Sequence, residues 1–251
     1  MDHWFICYLQ EWIFSFAVHK LEKFSSNPRK LHFEGLLHVL RYIRYNTTLG
    51  SKYYAYINDA HLSDLLIQDS IKTENQLVSF SDYSCKDFPY TGRSTGEYIV
   101  FYQCGSIDHG THVPGKISQS IAEIEYNAAC TAGMALANFR MLIHELLNKD
   151  PDIVPEEASL IILYSESVFN IDKNGNYTKH TRHIAIIVHF VSNGESWKMH
   201  NIDWCKVGLQ LEYISTKNFG ETNLNPRMKY IMLRLDNWDR TLVQNGWQDT
   251  W

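Results

Sequence analysis

The sequence has no surplus of basic residues, no closely paired cysteines and no apolar run long enough to cross a bilayer. Lys and Arg number 23 against 28 Asp and Glu, a net charge of −5. Proteins that grip nucleic acid by its phosphates usually carry the opposite sign, because each Lys or Arg contact releases counterions. The balance weighs against strong nonspecific binding. It leaves room for a local basic face, or for an enzyme that meets phosphate through bound cations. The five cysteines, Cys7, Cys85, Cys104, Cys130 and Cys205, are odd in number, widely spaced and without a CxxC pair. That argues against a disulfide framework and against a cysteine zinc site, and for reduced thiols in a reducing compartment.

The apolar stretch from Trp4 to Val18 is interrupted by Gln10 and Glu11, and it falls short of the roughly 20 apolar residues of a membrane span. Asp2 and His3 do not supply the basic start of a signal peptide. Without a secretory signal, the glycosylation sequon Asn46-Thr47-Thr48 carries little meaning. The expectation is a cytoplasmic or nuclear protein, neither secreted nor membrane-bound. What the chain does have is 251 residues, 45% hydrophobic and 20% charged. That is enough for one large domain, or one ordinary domain with an appendage.

Two helical segments open the chain. Val18, Leu21 and Phe24 share a stripe at helical spacing, Ser25-Ser26-Asn27-Pro28 breaks it, and Phe33, Leu36, Leu37, Leu40 and Ile43 form a second stripe. Gly50 reads as a stop signal just past the second helix. Two short helices need a partner surface to be stable. Residues 58–75 are polar and mixed, and read as a linker. From Gln76 the pattern changes to strands: Leu77 to Ser81, Glu97 to Tyr102 and Ser106 to Thr111, with a turn at Asp87 to Gly92. A long helix is expected from about Ser120 to Leu147, a buried strand over Ser159 to Tyr164, a helix over Arg182 to Val191, and a strand from about Trp197 to Trp204. A short helix is expected to start near Leu209. This order describes a mixed sheet with helices packed on it.

Five motifs lie along this pattern: Phe80-Ser81-Asp82, Gly92-Arg93-Ser94-Thr95-Gly96, Ser120-Ile121-Ala122-Glu123-Ile124-Glu125-Tyr126, Lys179-His180-Thr181-Arg182-His183-Ile184 with His189-Phe190-Val191, and Leu209-Gln210-Leu211 with Ile214-Ser215-Thr216-Lys217. In order and spacing they resemble the ribonuclease H domain of copia-type retrotransposon polyproteins. The resemblance runs from about Gln76 to Lys217. Upstream, Ala17-Val18-His19-Lys20-Leu21, Phe24, Pro28, His32-Phe33 and Leu40-Arg41-Tyr42-Ile43 look like the end of the adjoining reverse transcriptase. The family's Arg-Pro-Asp group before that alanine is absent here, replaced by Trp12-Ile13-Phe14.

The resemblance implies an α/β fold: a ribonuclease H-like five-stranded mixed sheet with flanking helices, preceded by a short helical segment. It divides the chain into a reverse-transcriptase-like helical remnant (1–57), a linker (58–75), the ribonuclease H-like domain (76–217) and a C-terminal tail (218–251). The implied chemistry is two-metal hydrolysis of RNA in an RNA–DNA hybrid, with Mg²⁺ or Mn²⁺ held by four carboxylates. Asp82 matches the first ligand and Glu125 the second. Tyr164 and Tyr213 stand at the third and fourth. A phenol titrating near ~10 is neutral at pH 7 and a poor substitute for a carboxylate. Metal binding is therefore expected to be weak or absent unless Glu166 or Glu212, the nearest acids, take over. Three readings follow: an active nuclease using those acids, a nonenzymatic remnant that still binds nucleic acid, or a decayed copy with no selected role. Docking to a reverse transcriptase is a further expectation.

The residues also admit plainer roles. Asp82 could be a strand-end cap, Glu125 an ordinary helix glutamate, and His180, His183 and His189 packing or capping residues rather than a zinc cluster. Arg93 could sit in a turn salt bridge as readily as on a nucleic-acid backbone.

Overall fold

The structure is a computed structural model. It describes residues 17–45, 49–51, 76–84, 92–102, 105–115, 117–118, 120–147, 158–163, 165, 169, 193–194, 198–204 and 232–234.

Residues 17–22 are helical (α1), and a turn leads into α2, Lys30–Tyr45. Phe24 stacks on His32 with ring centroids 4.0 Å apart, and Leu21 lies against the backbone of Gly35. The two helices therefore form a hairpin, closed where a larger residue at position 35 would intrude. Gly50 does not stop α2, which ends five residues earlier. It lies instead in a short strand β1, Leu49–Ser51, antiparallel to a C-terminal strand, Met232–Arg234.

The main sheet contains β2 (Val78–Ser84), β3 (Thr95–Tyr102), β4 (Gly105–His112), β5 (Ser159–Leu163) and β6 (His200–Trp204). With Met232–Arg234 as β7, the five central strands lie in the order β4-β3-β2-β5-β6. β2, β3 and β4 form an antiparallel meander, and β5 and β6 join β2 in parallel. Parallel neighbours require a crossover, and the path from β2 to β5 includes the long helix α3, Ile121–Leu146. This is the expected α/β mixed sheet. The helix expected over Arg182 to Val191, the linker and the helix near Leu209 lie outside the described residues.

Pleating divides the sheet into two faces. Val100, Ile161, Leu163 and Ile202 form one core with Ala129, Ala132, Ala135 and Leu136 of α3. Small residues let the helix approach closely: Gly133 has Ile161 Cδ1 and His200 Cε1 within 3.6 Å of where a Cβ would stand. The opposite face carries Val78, Phe80, Ile99, Phe101, Leu160 and Ile162, all under 5% exposed. Phe80 and Phe101 meet there edge to face at 5.7 Å. A sheet buried on both sides explains why Ser159 to Leu163 reads as an unbroken apolar run rather than an alternation.

Candidate active site

β2 is longer than the sequence suggested. It continues through Asp82 to Ser84, so Asp82 is an interior strand residue and not the strand's last. Its side chain shares a face with Phe80. Ser79, Ser81 and Tyr83 point the other way, toward α3. The assignment follows from Gly96, the cross-strand partner of Tyr83, whose missing Cβ would stand 3.5 Å from Ala128 Cβ. Asp82 is 1% exposed.

Glu125 comes from α3. Ser120 caps that helix, its Oγ accepting from the Glu123 backbone N–H at 3.1 Å. Glu125 is buried and sits one turn before Ala128, hence toward the Ser84–Thr95 end of β2 and β3. Farther along the same helix, Arg140 donates to Ser159 Oγ at the start of β5, so α3 runs back along the sheet. Asp82 and Glu125 thus lie toward the same end of the sheet, with the Asp82 side chain on the face away from α3. That end is also where the parallel strands β2 and β5 finish, the usual place for a site in an open α/β sheet.

One acid was not singled out from the sequence. Glu97 pairs directly with Asp82 across β2 and β3 and is itself buried, at 3% exposed. Directly opposed residues on one face have Cβ atoms about 4.5–5.5 Å apart. A signal for it was present. The turn expected at Asp87 to Gly92 has its midpoint equidistant from positions 82 and 97, so a regular hairpin about it pairs those two. Thr95 lies two residues from Glu97 on the same face, and its Oγ1 shares a hydrogen bond of 3.1 Å with His19 Nε2. The helical hairpin therefore touches the sheet at its carboxylate end.

The remaining expected positions, Tyr164, Glu166, Glu212 and Tyr213, lie outside the described residues, as do His180, His183 and His189. β5 ends at Leu163, in register with Ser81. Arg93 is exposed. Among the described residues no group of three or more His, Cys, Asp or Glu is placed to hold a metal ion. Asp82, Glu97 and Glu125 offer the hard oxygens that Mg²⁺ takes, yet they do not together make such a group. The described residues by themselves therefore do not make up a two-metal centre.

The chain is 22% identical over 175 residues to the retrovirus-related Pol polyprotein from transposon TNT 1-94 of Nicotiana tabacum, a match covering 70% of this chain and 11% of the relative. This chain is a distant relative of a copia-type retrotransposon polyprotein. It spans about a tenth of that relative's length. No family model matches it. Similar solved structures are ribonucleases H. RNase H1 of Halobacterium salinarum NRC-1 is 12% identical with a TM-score of 0.38, over 53% of this chain and 86% of that one. LC11-RNase H1, solved in complex with an RNA/DNA hybrid, is 14% identical with a TM-score of 0.37, over 53% and 85%. The N-terminal RNase H domain of a Mycobacterium tuberculosis protein is 8% identical with a TM-score of 0.41, over 62% and 97%. The main sheet is a mixed one: an antiparallel meander, then, after a long helix, parallel strands on the far side of β2. No helix among the described residues is long and apolar enough to cross a membrane.

Proposed function

We propose that residues 76–217 are a retrotransposon-derived ribonuclease H-like domain whose cleavage of RNA–DNA hybrids is impaired. Residues 1–57 are read as the end of a reverse transcriptase, 58–75 as a linker and 218–251 as a tail. The observation that carries the proposal is the motif pattern, in which Asp82 and Glu125 stand at two ligand positions and lie toward the same end of the sheet, while the other two ligand positions are Tyr164 and Tyr213. An intact site of this family would use Mg²⁺ or Mn²⁺ to activate water and to stabilise the leaving oxygen. Asp82 and Glu125 would be its ligands here. Two anionic ligands out of four are a weak hold on a divalent cation. The burial of Asp82 favours the same reading, since a carboxylate that ligates a substrate-bridging metal must be reachable. The hybrid remains the expected partner and the cytoplasm or nucleus the expected compartment.

The test is calorimetric titration with Mg²⁺ and Mn²⁺ beside a hybrid-cleavage assay, on the natural chain and on a Tyr164→Asp, Tyr213→Asp double variant. The expected result is metal binding and cleavage only in the double variant, lost again on adding Asp82→Asn. If the natural chain binds metal and cuts, and Glu166→Gln or Glu212→Gln abolishes both, the domain is a working nuclease. Hybrid binding by the natural chain without cleavage would identify a nonenzymatic binding remnant.

A further inference from the structure

We infer that the outward side of α2 is a docking surface for a helical segment of another protein, one that carries acidic residues at the two ends of an apolar row. This surface is independent of whether the domain cuts a hybrid.

α2 is apolar over more of its circumference than α1 covers. The contacts between the two helices fall on one side: His32 stacks on Phe24, and Leu21 Cδ2 lies 3.2 Å from where a Cβ on Gly35 would stand. At about 3.6 residues per turn, Val39, Tyr42 and Ile43 continue that side, and all three are partly buried. Phe33, Leu36 and Leu40 form an adjoining row, and they are 59%, 42% and 51% exposed. Their i, i+3, i+7 spacing is the one by which an amphipathic helix presents anchors to an apolar partner. Arg29, four residues before Phe33, and Arg44, four after Leu40, extend this row at its two ends. Lys30 and Arg41 flank it on one edge, and all four cations are exposed.

The charges select the occupant. Residues 29–45 hold four cations and one acid, Glu34, which lies 3.7 Å from Lys30. The whole chain is at −5, so the basic sign belongs to this surface and not to the chain at large. A second copy is opposed by that sign. Pairing the row antiparallel with itself sets Arg29 against Arg44, and pairing it parallel sets each against its own copy, a costly juxtaposition of like charges. A lipid surface is poorly served, because interfacial binding scales with buried apolar area and this row spans only two turns between arginines. A phosphate backbone laid from Arg29 to Arg44 would meet three apolar side chains on the way. A helix with its own apolar row and a carboxylate near each end buries the three anchors. It also pairs both arginines, about 22 Å apart along α2, with charge-assisted hydrogen bonds.

The experiment presents the full natural chain with two designed helical peptides that share one leucine row, the first with Glu at both ends and the second with Lys. Binding is read by fluorescence anisotropy at low and high salt. The Glu-ended peptide is expected to bind several-fold more tightly than the Lys-ended one, and to weaken as salt rises. A Leu36→Ser, Leu40→Ser variant should lose several-fold in affinity. An Arg29→Glu, Arg44→Glu variant should prefer the Lys-ended peptide, a reversal that damage to the fold would not produce. The substituted side chains are all exposed, and unchanged circular dichroism and urea midpoints check that the fold is kept. Equal binding of the two peptides, or binding of neither, overturns the inference. So does a rival occupant while the Glu-ended peptide stays unbound: self-association in sedimentation or binding to phosphatidylserine vesicles that the serine changes abolish, or binding to a DNA duplex that the glutamate changes abolish. None of these readings depends on nuclease activity, so failure here is distinct from failure of the functional proposal.

Discussion

Buried ionisable side chains show most clearly what surroundings do to a single residue here. Cys130 lies on α3 among Ala129, Ala132 and their sheet partners, and burial pushes its thiol above the ordinary value by disfavouring the thiolate. A raised folded-state value means the folded chain keeps a proton that the unfolded chain gives up. The associated stability is complete below the unfolded thiol's range and is lost as pH climbs through it toward the folded value. Urea midpoints should therefore fall more steeply at alkaline pH for the natural chain than for Cys130→Ala, whose neutral-pH stability is lower by a cavity term of order 1 kcal/mol. Parallel pH curves for the two proteins would refute this. Asp82 and Glu97 carry the same lesson. Asp82 is identifiable from its motif, but its facing partner follows only from counting outward from the turn, and its burial follows from nothing local.

Among the elements, α3 was the most legible. Its apolar spacing, its Ser120 start and its length all agree with Ile121–Leu146. The cap makes a specific expectation: Ser120→Ala removes the acceptor for the Glu123 N–H and should cost about 1 kcal/mol, within the usual range for N-caps, seen as a lower denaturation midpoint with unchanged slope. A loss well under half of that would mean another group or water takes over the orphan donor. β2 was less legible. Its polar Ser79, Ser81 and Asp82 look like a strand giving out, yet Ser79 Oγ donates to Ile99 O at 3.2 Å and the strand continues to Ser84. Cross-strand partners, and not the strand's own composition, set its end. β4 shows the same dependence on a neighbour. Tyr98 lies over Gly110 and donates to Asp108 Oδ2 at 3.1 Å. Gly110→Ala would push a methyl into that ring, and a loss of about 1–3 kcal/mol is expected from overpacking, measurable by the same urea titration.

At the scale of the molecule, the net charge of −5 speaks to partners more than to fold. A short DNA duplex at physiological salt should bind the natural chain more weakly than the ~10⁻⁴–10⁻⁶ M typical of nonspecific binders. Fluorescence anisotropy checks this, and tight, steeply salt-dependent binding would reveal a basic face that the total charge conceals. The ends of the chain are also joined more closely than a division into consecutive segments implies. β1 lies just after α2 and β7 lies near the other end of the chain, and the two pair as one ribbon. A two-stranded ribbon is marginal alone, so its persistence depends on what surrounds it.

The sequence by itself determined the class of fold and the approximate positions of the long helix and of the five strands of the main sheet, because periodicity and caps are written in neighbouring residues. Only the tertiary structure decided the rest. It placed β5 and β6 on the far side of β2, packed α3 on the face away from Asp82 and Glu97, and brought His19 onto Thr95. Each of these joins residues far apart in the chain, and such pairings are fixed by which buried surfaces fit together, a property that no local window of sequence contains.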